Sequence, residues 1–510
     1  MKSIMHRIIL DRFTEAAEKQ FKLSTPSKMT VLINHYWGEY KSYSSQTEYL
    51  SHHEISKGIG SKDVSWMLGA QELKYFATYE GVFLSLLSRF DFRKRNFTVE
   101  EMAEHYYRLI NFWLAKLKEV KPTACFSLDI PHVPSSFALY LVNKYARIPH
   151  IYLDAPLVLN KFAFFACSFS QRSLLINAQG FSDRRFVGVF NEFAHHVRNK
   201  SPHAAAICDT DWHSQKSTLW KKLPTLLMQL ISAISPLELR TLFTGRVKWR
   251  RRSLTETYWK ANRRRWDDPK SSPSQFYFMW HLLCYNLQAF IARDRYRKLC
   301  TDYRKLNKFI YFAAPVEPEA STLPIALESR RLYPALRAIS EALPDGVSLA
   351  FKENPVTFDA RLIFTLDWKS NYYYRDLQHD LSNIVFISEN VPTLDLIEKS
   401  IGVACINGTV GIESILKGKH CITFAPQWYD NASGIHLVKT PLDVAEAVDL
   451  MIKGEKPDPT GAQVQFSKCF FEFENFRISN YTSKDLKKIT EIFWSSYDVF
   501  LNLDDRKWDV

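Results

Sequence analysis

Between residues 306 and 445, five short apolar runs recur with helix-patterned segments between them, and this alternation constrains the fold more than any other feature. The runs are "KFIYFAA", "VSLAFKE", "NIVFIS", "VACIN" and "CITFA". Each is too short for a core helix and is rich in β-branched or aromatic residues, so each reads as a buried strand. The segments between them read as helices: Arg330–Leu343, an aromatic stretch near Trp368–Leu377, "PTLDLIEKS" and "GTVGIESILKGK". Strands separated by helices pair in parallel, which predicts an open, doubly wound α/β sheet.

The same rhythm occurs earlier in the chain. "TVLIN" reads as a strand, and a helix follows over Thr98–Val120, with Met102, Tyr106, Leu109, Ile110, Trp113, Leu114 and Leu117 on one face. Pro122 stops that helix. Then come a strand "ACFSL", a loop "DIPHVPSS", a helix Ser136–Ala146 and a strand "PHIYLD". A chain of 510 residues exceeds one ordinary core. The expected division is an N-terminal Rossmann-like domain at 1–165 and a helical, basic, aromatic-rich insertion at 166–305. A C-terminal Rossmann-like domain follows at 306–480. A last helix within 481–510 crosses back to the first domain. The fold class is α/β, with two Rossmann-like domains facing a cleft.

Composition narrows the function classes. Hydrophobic residues at 46% and charged residues at 24% exclude a disordered or fibrous chain. The net charge of +13 suits nucleic acid, anionic lipid or phosphorylated substrates. No RNP, helix-turn-helix or zinc-finger signature supports nucleic acid as a partner. The charge is densest over Arg246–Trp266, where Arg250, Arg251, Arg252, Arg263, Arg264 and Arg265 lie among tryptophans. That pattern suits an anionic membrane surface or an acceptor; the plainer alternative is a solvated helical face. An apolar helix is expected just before it, over Leu223–Leu237. The eight cysteines form no C-x-x-C pair and no zinc spacing, which points to reduced core thiols and the cytoplasm. No signal-peptide h-region opens the chain, and no window reaches the ~20 apolar residues of a spanning helix. The expected place is the cytoplasm, peripheral on the inner face of the membrane.

Open α/β sheets bind ligands beyond the carboxyl ends of their strands. The expected donor loops therefore carry Glu317, Pro318, Glu319 and Ser321 after the first C-terminal strand. Lys352, Glu353, Asn354 and Pro355 follow the second, and Ser388, Glu389 and Asn390 the third. Asn407, Gly408 and Thr409 follow the fourth, and Gln427 and Trp428 the fifth. In "NGTVGIESILKGK", Gly408 allows a sharp turn, and the amides after Thr409 open a helix N-terminus that attracts phosphate. Glu413, one turn on, is placed for ribose hydroxyls. Lys352 and Asn354 are placed for a phosphate, and Glu319 for a sugar or as general acid. In the first domain Asp129, His132 and Asp154 follow adjacent strands, and carboxylates there can stabilise a cationic sugar centre. For each residue the plain alternative is a turn, cap or surface charge.

The segments "FIYFAAPVEPEAST", "LPDGVSLAFKENP", "NIVFISENVPTLDLIEKS" and "INGTVGIESILKGKHCITFAPQWY", with "KPTACFSLDIPH" and "ALYLVNKYARIPHIYL", resemble the capsule polysaccharide biosynthesis family. The resemblance spans about 120–160 and 306–430 and includes retaining β-Kdo transferases. It implies a GT-B-like fold of two facing Rossmann domains, a CMP-sugar donor and an aspartate nucleophile in the N-terminal domain. Asp129 is the candidate nucleophile and Asp154 the second. The family shows Gln-Pro-Glu-Ala where this chain has Glu317-Pro318-Glu319-Ala320. It shows Lys-Glu-His-Pro where this chain has Lys352-Glu353-Asn354-Pro355, so Asn354 replaces a phosphate-binding histidine. Glu319, Lys352, Thr409 and Glu413 match the pattern.

The resulting expectation is a metal-independent glycosyltransferase without a cofactor, using a nucleotide sugar such as CMP-Kdo and a glycan or glycolipid acceptor. A non-catalytic scaffold of polysaccharide assembly and a sugar-nucleotide epimerase or hydrolase are the alternatives.

Overall fold

The computed structural model describes residues 6–23, 29–36, 47–51, 55, 68–88, 98–156, 162–169, 184–199, 275–317, 322–358, 369–370, 372–458, 470–472 and 482–501. The chain builds two sheets. The first contains β1 (His6–Asp11), β2 (Met29–Tyr36), β3 (Glu48–Ser51), β4 (Ala124–Ser127), β5 (His150–Asp154) and β6 (Phe162–Ala166). The second contains β7 (Lys308–Ala313), β8 (Val347–Lys352), β9 (Ile384–Ile387), β10 (Gly402–Cys405), β11 (Cys421–Thr423) and β12 (Ile435–Leu437). A short β13 (Phe471–Glu472) returns to the edge of the first sheet, antiparallel to β6.

The strand orders carry the architecture. The second sheet runs β12-β11-β10-β7-β8-β9, parallel throughout. Numbered within its own domain, that is the 3-2-1-4-5-6 order of a dinucleotide-binding Rossmann sheet. The first sheet repeats it as β3-β2-β1-β4-β5-β6, with only the last pair antiparallel, and β13 added beyond. The fold is therefore two Rossmann-like domains, as expected from the strand–helix rhythm. In such a sheet the order reverses between the first and fourth strands, which leaves a crevice at their carboxyl ends. Here those switch points lie between β1 and β4, and between β7 and β10.

Local sequence explains the elements. Helix Val99–Val120 starts at Thr98, whose hydroxyl accepts from the Glu101 amide while the Glu101 carboxylate reaches back to the Thr98 amide. It ends at left-handed Lys121, just before Pro122. Tyr106, Leu109, Ile110 and Trp113 on its inner face are fully buried against the first sheet. In the second domain Phe309, Tyr311 and Val403 point to one side of the sheet while Ile310, Phe312 and Ala404 point to the other, as alternating strand side chains must.

Three features depart from the expected division or complete it. Helix Gln275–Lys298 belongs to the C-terminal body: Tyr296 is buried there, and its hydroxyl donates to the Ile387 carbonyl at 2.8 Å. Helix Ser483–Leu501 packs on the first domain, with Phe493 stacked on Phe126 at 4.3 Å. Finally, the two domains touch. Leu323, Ile325, Ile412, Ile415, Trp428 and Tyr429 share one buried cluster with first-domain residues such as Phe186 and Phe83. Arg330 bridges to Ser85 Oγ at 2.9 Å. The apolar helix expected at Leu223–Leu237 and the basic run at Arg246–Trp266 lie outside the described residues. Among the described residues no helix is long and apolar enough to cross a membrane. The five described free cysteines are buried or half-buried.

Candidate functional site

At the first switch point β1 ends on Asp11, a wholly buried carboxylate. It accepts from His35 Nδ1 at 2.6 Å, Ser127 Oγ at 2.7 Å and Ser136 Oγ at 2.8 Å. These donors come from the ends of β2 and β4 and from the first turn of helix Pro134–Tyr145, so one carboxylate ties together the elements framing the crevice. Burial alone raises such a carboxyl. The bond and charge of His35, aided by His150 and Ser127, outweigh it and hold Asp11 below the usual range. Ser127 gives its proton to Asp11, so it must accept from His150 Nε2, 2.7 Å away. His150 Nδ1 then accepts from Asn143 Nδ2 at 3.0 Å. His150 is neutral here, and burial pushes its pKa down to about 4.

The next residue, Arg12, has φ +63°, the left-handed region that non-glycine residues seldom occupy. Its amide donates to the His35 carbonyl at 2.8 Å. The turn sends its guanidinium to Asp129 Oδ2 beyond the end of β4. Asp129 Oδ1 accepts the Ile130 amide at 2.8 Å. Burial pushes the Asp129 carboxyl above its ordinary pKa, against the opposing pull of Arg12. His132 lies 3.6 Å from Asp129, and its Nδ1 is 2.8 Å from the Ile130 carbonyl. A carbonyl only accepts, so Nδ1 carries the hydrogen and Nε2 keeps the lone pair when the ring is neutral. Arg12 NH1, 3.3 Å from the same Nδ1, is then a donor facing a donor and adds no bond. Asp129 and His132 are thus brought together. Asp154 closes the neighbouring β5 and is 2% exposed.

The second switch point is organised differently from the expectation. Lys352, expected to face a phosphate, turns inward and donates to the Val391 carbonyl at 3.0 Å and Thr393 Oγ1 at 2.9 Å. Burial lowers its pKa to about 8, although Glu413 and Glu389 oppose this. Glu353 is fully buried and accepts from Lys369, Tyr374 Oη at 2.6 Å, Thr357 Oγ1 at 3.1 Å and the Asn354 amide at 3.0 Å. It fixes the loop after β8. Asn354 Oδ1 accepts the Val356 amide at 3.0 Å and so shapes the 3-10 turn Pro355–Phe358. Glu389, expected at the donor, accepts from Arg297 Nε at 2.9 Å, with Arg293 3.6 Å away. Glu317 and Asn407 are buried at the ends of β7 and β10. Glu319 lies outside the described residues, as do Arg250, Arg251, Arg252, Arg263, Arg264 and Arg265.

The stretch after β10 keeps an open face. A methyl group built on Gly408 would meet nothing within 4 Å, whereas one on Gly411 would strike the Tyr429 hydroxyl at 2.6 Å. Tyr429 also donates to the Gly408 carbonyl, which pins the turn from behind. Thr409 precedes helix Val410–Leu416 but makes no side-chain cap; its hydroxyl is 3.3 Å from Glu413 Oε1 instead. The helix start is therefore not closed by its own threonine. Burial raises the Glu413 carboxyl, with Thr409 and Lys352 acting the other way. Among the described residues no group of three or more His, Cys, Asp or Glu side chains is placed to hold a metal ion.

Asp11, Arg12, His35 and Tyr429 were not singled out from sequence. "RIILD" has the same form as "CFSLD", an apolar run closed by aspartate, and that parallel was the available signal.

Comparison with known proteins adds one informative match. No curated protein matches the chain. Among solved structures it is similar to the UDP-GlcNAc 2-epimerase from Methanocaldococcus jannaschii, at 11% identity over 96% of this chain and 99% of that chain, TM-score 0.24. It is also similar to the UDP-N-acetylglucosamine 2-epimerase from Rickettsia bellii, at 11% identity over 98% and 99%, TM-score 0.26. A third is the Candida albicans trehalose-6-phosphate phosphatase N-terminal domain, at 8% identity over 100% and 98%, TM-score 0.25. At these scores the likeness carries no argument, and the architecture rests on the strand orders. Residues 334–440, which run from the helix after β7 through the rim at Gly408 to the loop after β12, match the model of the family described as capsule polysaccharide biosynthesis protein, so the family likeness is shown for that segment of the C-terminal domain.

Proposed function

We propose that the chain is a glycosyltransferase that moves a sugar from a nucleotide donor, CMP-Kdo being the first to test, to a glycan or glycolipid acceptor at the cytoplasmic face of the membrane. The observation that carries this reading is the open face at Gly408 beside an uncapped helix start, at the switch point of a 3-2-1-4-5-6 sheet. Backbone amides there suit a leaving phosphate, a role that Lys352, turned inward, does not fill directly. Glu413 is then the candidate for ribose hydroxyls.

In the first domain Asp129 is the candidate nucleophile and His132 the candidate base. An Asp129 oxygen attacks the anomeric carbon as the bond to the donor phosphate breaks, and the phosphate leaves with that electron pair. The acceptor hydroxyl next attacks the same carbon, His132 Nε2 takes its proton, and the bond to Asp129 breaks to regenerate the carboxylate. Arg12 holds Asp129 through both steps. No step calls on a metal or cofactor.

The test is incubation of the full-length protein with CMP-, UDP-, GDP- and dTDP-sugars and a glycolipid acceptor extract, read by mass spectrometry. The expected product is acceptor heavier by one sugar. Free sugar alone would favour a hydrolase, and an unchanged panel with unaltered polysaccharide output in active-site mutants would favour a scaffold.

A further inference from the structure

Helix Gln275–Lys298 has an inner and an outer face. Ala289 and Tyr296 are buried, Tyr296 within the core of the C-terminal domain. Leu287, Phe290 and Ile291 are 60%, 48% and 39% exposed. At 100° per residue these three lie on one stripe with Asp294, Arg295 and Lys298, which are also exposed. The other large apolar side chains exposed among the described residues are dispersed over six further helices and loops. Single exposed apolar residues are ordinary on a protein surface, whereas three adjacent ones on one helical stripe mark a contact site.

The charge beside the stripe selects the partner. Residues 287–308 hold seven basic side chains (Arg293, Arg295, Arg297, Lys298, Arg304, Lys305 and Lys308) against two acidic ones (Asp294 and Asp302). Arg297 and Arg293 are drawn to Glu389, and Lys298 to Asp294 at 2.7 Å. Arg295, Arg304, Lys305 and Lys308 are exposed along the run from the helix end to β7. An apolar stripe continued by exposed cations has the chemistry of a segment that lies in the interface of an anionic bilayer.

We infer that the outer face of helix Gln275–Lys298 docks the protein on an anionic lipid surface, with Leu287, Phe290 and Ile291 entering the acyl boundary and Arg295 among the headgroups. This deepens the membrane-side reading above, but it is tested without any nucleotide sugar, so its failure leaves glycosyl transfer untouched.

The experiment is co-sedimentation of the full chain with phosphatidylcholine vesicles, with and without phosphatidylglycerol, at low and high salt. Binding is expected only to the anionic vesicles and to weaken with salt. Leu287→Asp/Phe290→Asp/Ile291→Asp should lower it about tenfold or more, with an unchanged melting temperature. The milder Phe290→Ser and Arg295→Glu variants, each lowering binding severalfold, cover the case in which the triple variant misfolds. The inference is overturned if anionic vesicles do not bind the protein. It is equally overturned if the helix-face variants bind normally while Arg250→Glu/Arg251→Glu/Arg252→Glu abolishes binding, or if the helix-face variants change only the monomer–dimer mass.

Discussion

Asp129→Asn is expected to lower glycosyl transfer by about a thousandfold or more, equivalent to about 4 kcal/mol of transition-state stabilisation. The expectation follows from geometry. Asp129 is the carboxylate held by Arg12 at the first switch point, next to His132. The one amide oxygen keeps either the Ile130 amide or Arg12, which bind different oxygens of Asp129, so one contact is lost and the melting temperature should fall by a few degrees while the fold persists. The amide oxygen is a far weaker nucleophile, so the loss should fall on kcat and leave KM for the donor nearly unchanged. His132→Gln should cost less, about a hundredfold, in the range of a lost general base, and should flatten the acid limb of the pH–rate profile. Rates from purified variants over a pH series check both. If Asp154→Asn removes transfer and Asp129→Asn does not, the nucleophile is on β5 instead.

The second large effect is on stability in acid. His150 is neutral in the fold, with burial holding its pKa near 4, whereas an unfolded histidine titrates near 6.5. Between about pH 6.5 and about pH 4 the unfolded chain therefore binds a proton that the folded one refuses, and stability falls as pH falls. At about 1.4 kcal/mol per pH unit, this one residue withdraws about 3 kcal/mol across that window and contributes nothing above it. Asp11 acts at lower pH. Held below the usual carboxylate range, it adds stability above about pH 4 that is lost as acid protonates it. Urea denaturation at stepped pH is the measurement. His150→Gln, which retains a donor toward Ser127, should lose one proton's worth of slope between pH 6.5 and 4. His436, held near 4 by burial and by neighbouring His420, adds to the wild-type slope, so the difference between the two proteins is the readout. An identical slope in both would show that His150 is not the buried neutral group.

The second domain was legible because its strands are buried on both faces, so "KFIYFA", "VSLAFK" and "IVFI" announce themselves as continuous apolar runs. Helix Val99–Val120 was legible for a similar local reason, its capping box and its apolar stripe. β1 was not, although it is one of the two strands at the switch point of the first sheet, because its apolar run is only Ile8, Ile9 and Leu10. With it went Asp11 and Arg12. His35, at the end of β2, becomes notable only when β1 and β2 pair. Lys352 shows the opposite failure. A lysine after a buried strand has the pattern of a phosphate ligand, but whether its ammonium points out or reaches back to Val391 and Thr393 depends on a loop forty residues away in the chain. Glu389 likewise looked available until helix Gln275–Lys298, expected in a separate insertion, supplied Arg297.

The central claim is that a nucleotide sugar binds against the open face at Gly408. Thermal-shift titration of CMP-, UDP-, GDP- and dTDP-sugars against the wild-type protein and Gly408→Val tests it most directly. A Cβ there meets open space, so the melting temperature of the free protein is expected to be unchanged, and the two added methyl groups are expected to take up the donor's seat. The account predicts that one nucleotide class raises the wild-type melting temperature in proportion to the logarithm of its concentration, as a ligand of the folded state does, and leaves Gly408→Val unmoved. Equal stabilisation of both proteins, or stabilisation of neither by any class, would contradict it.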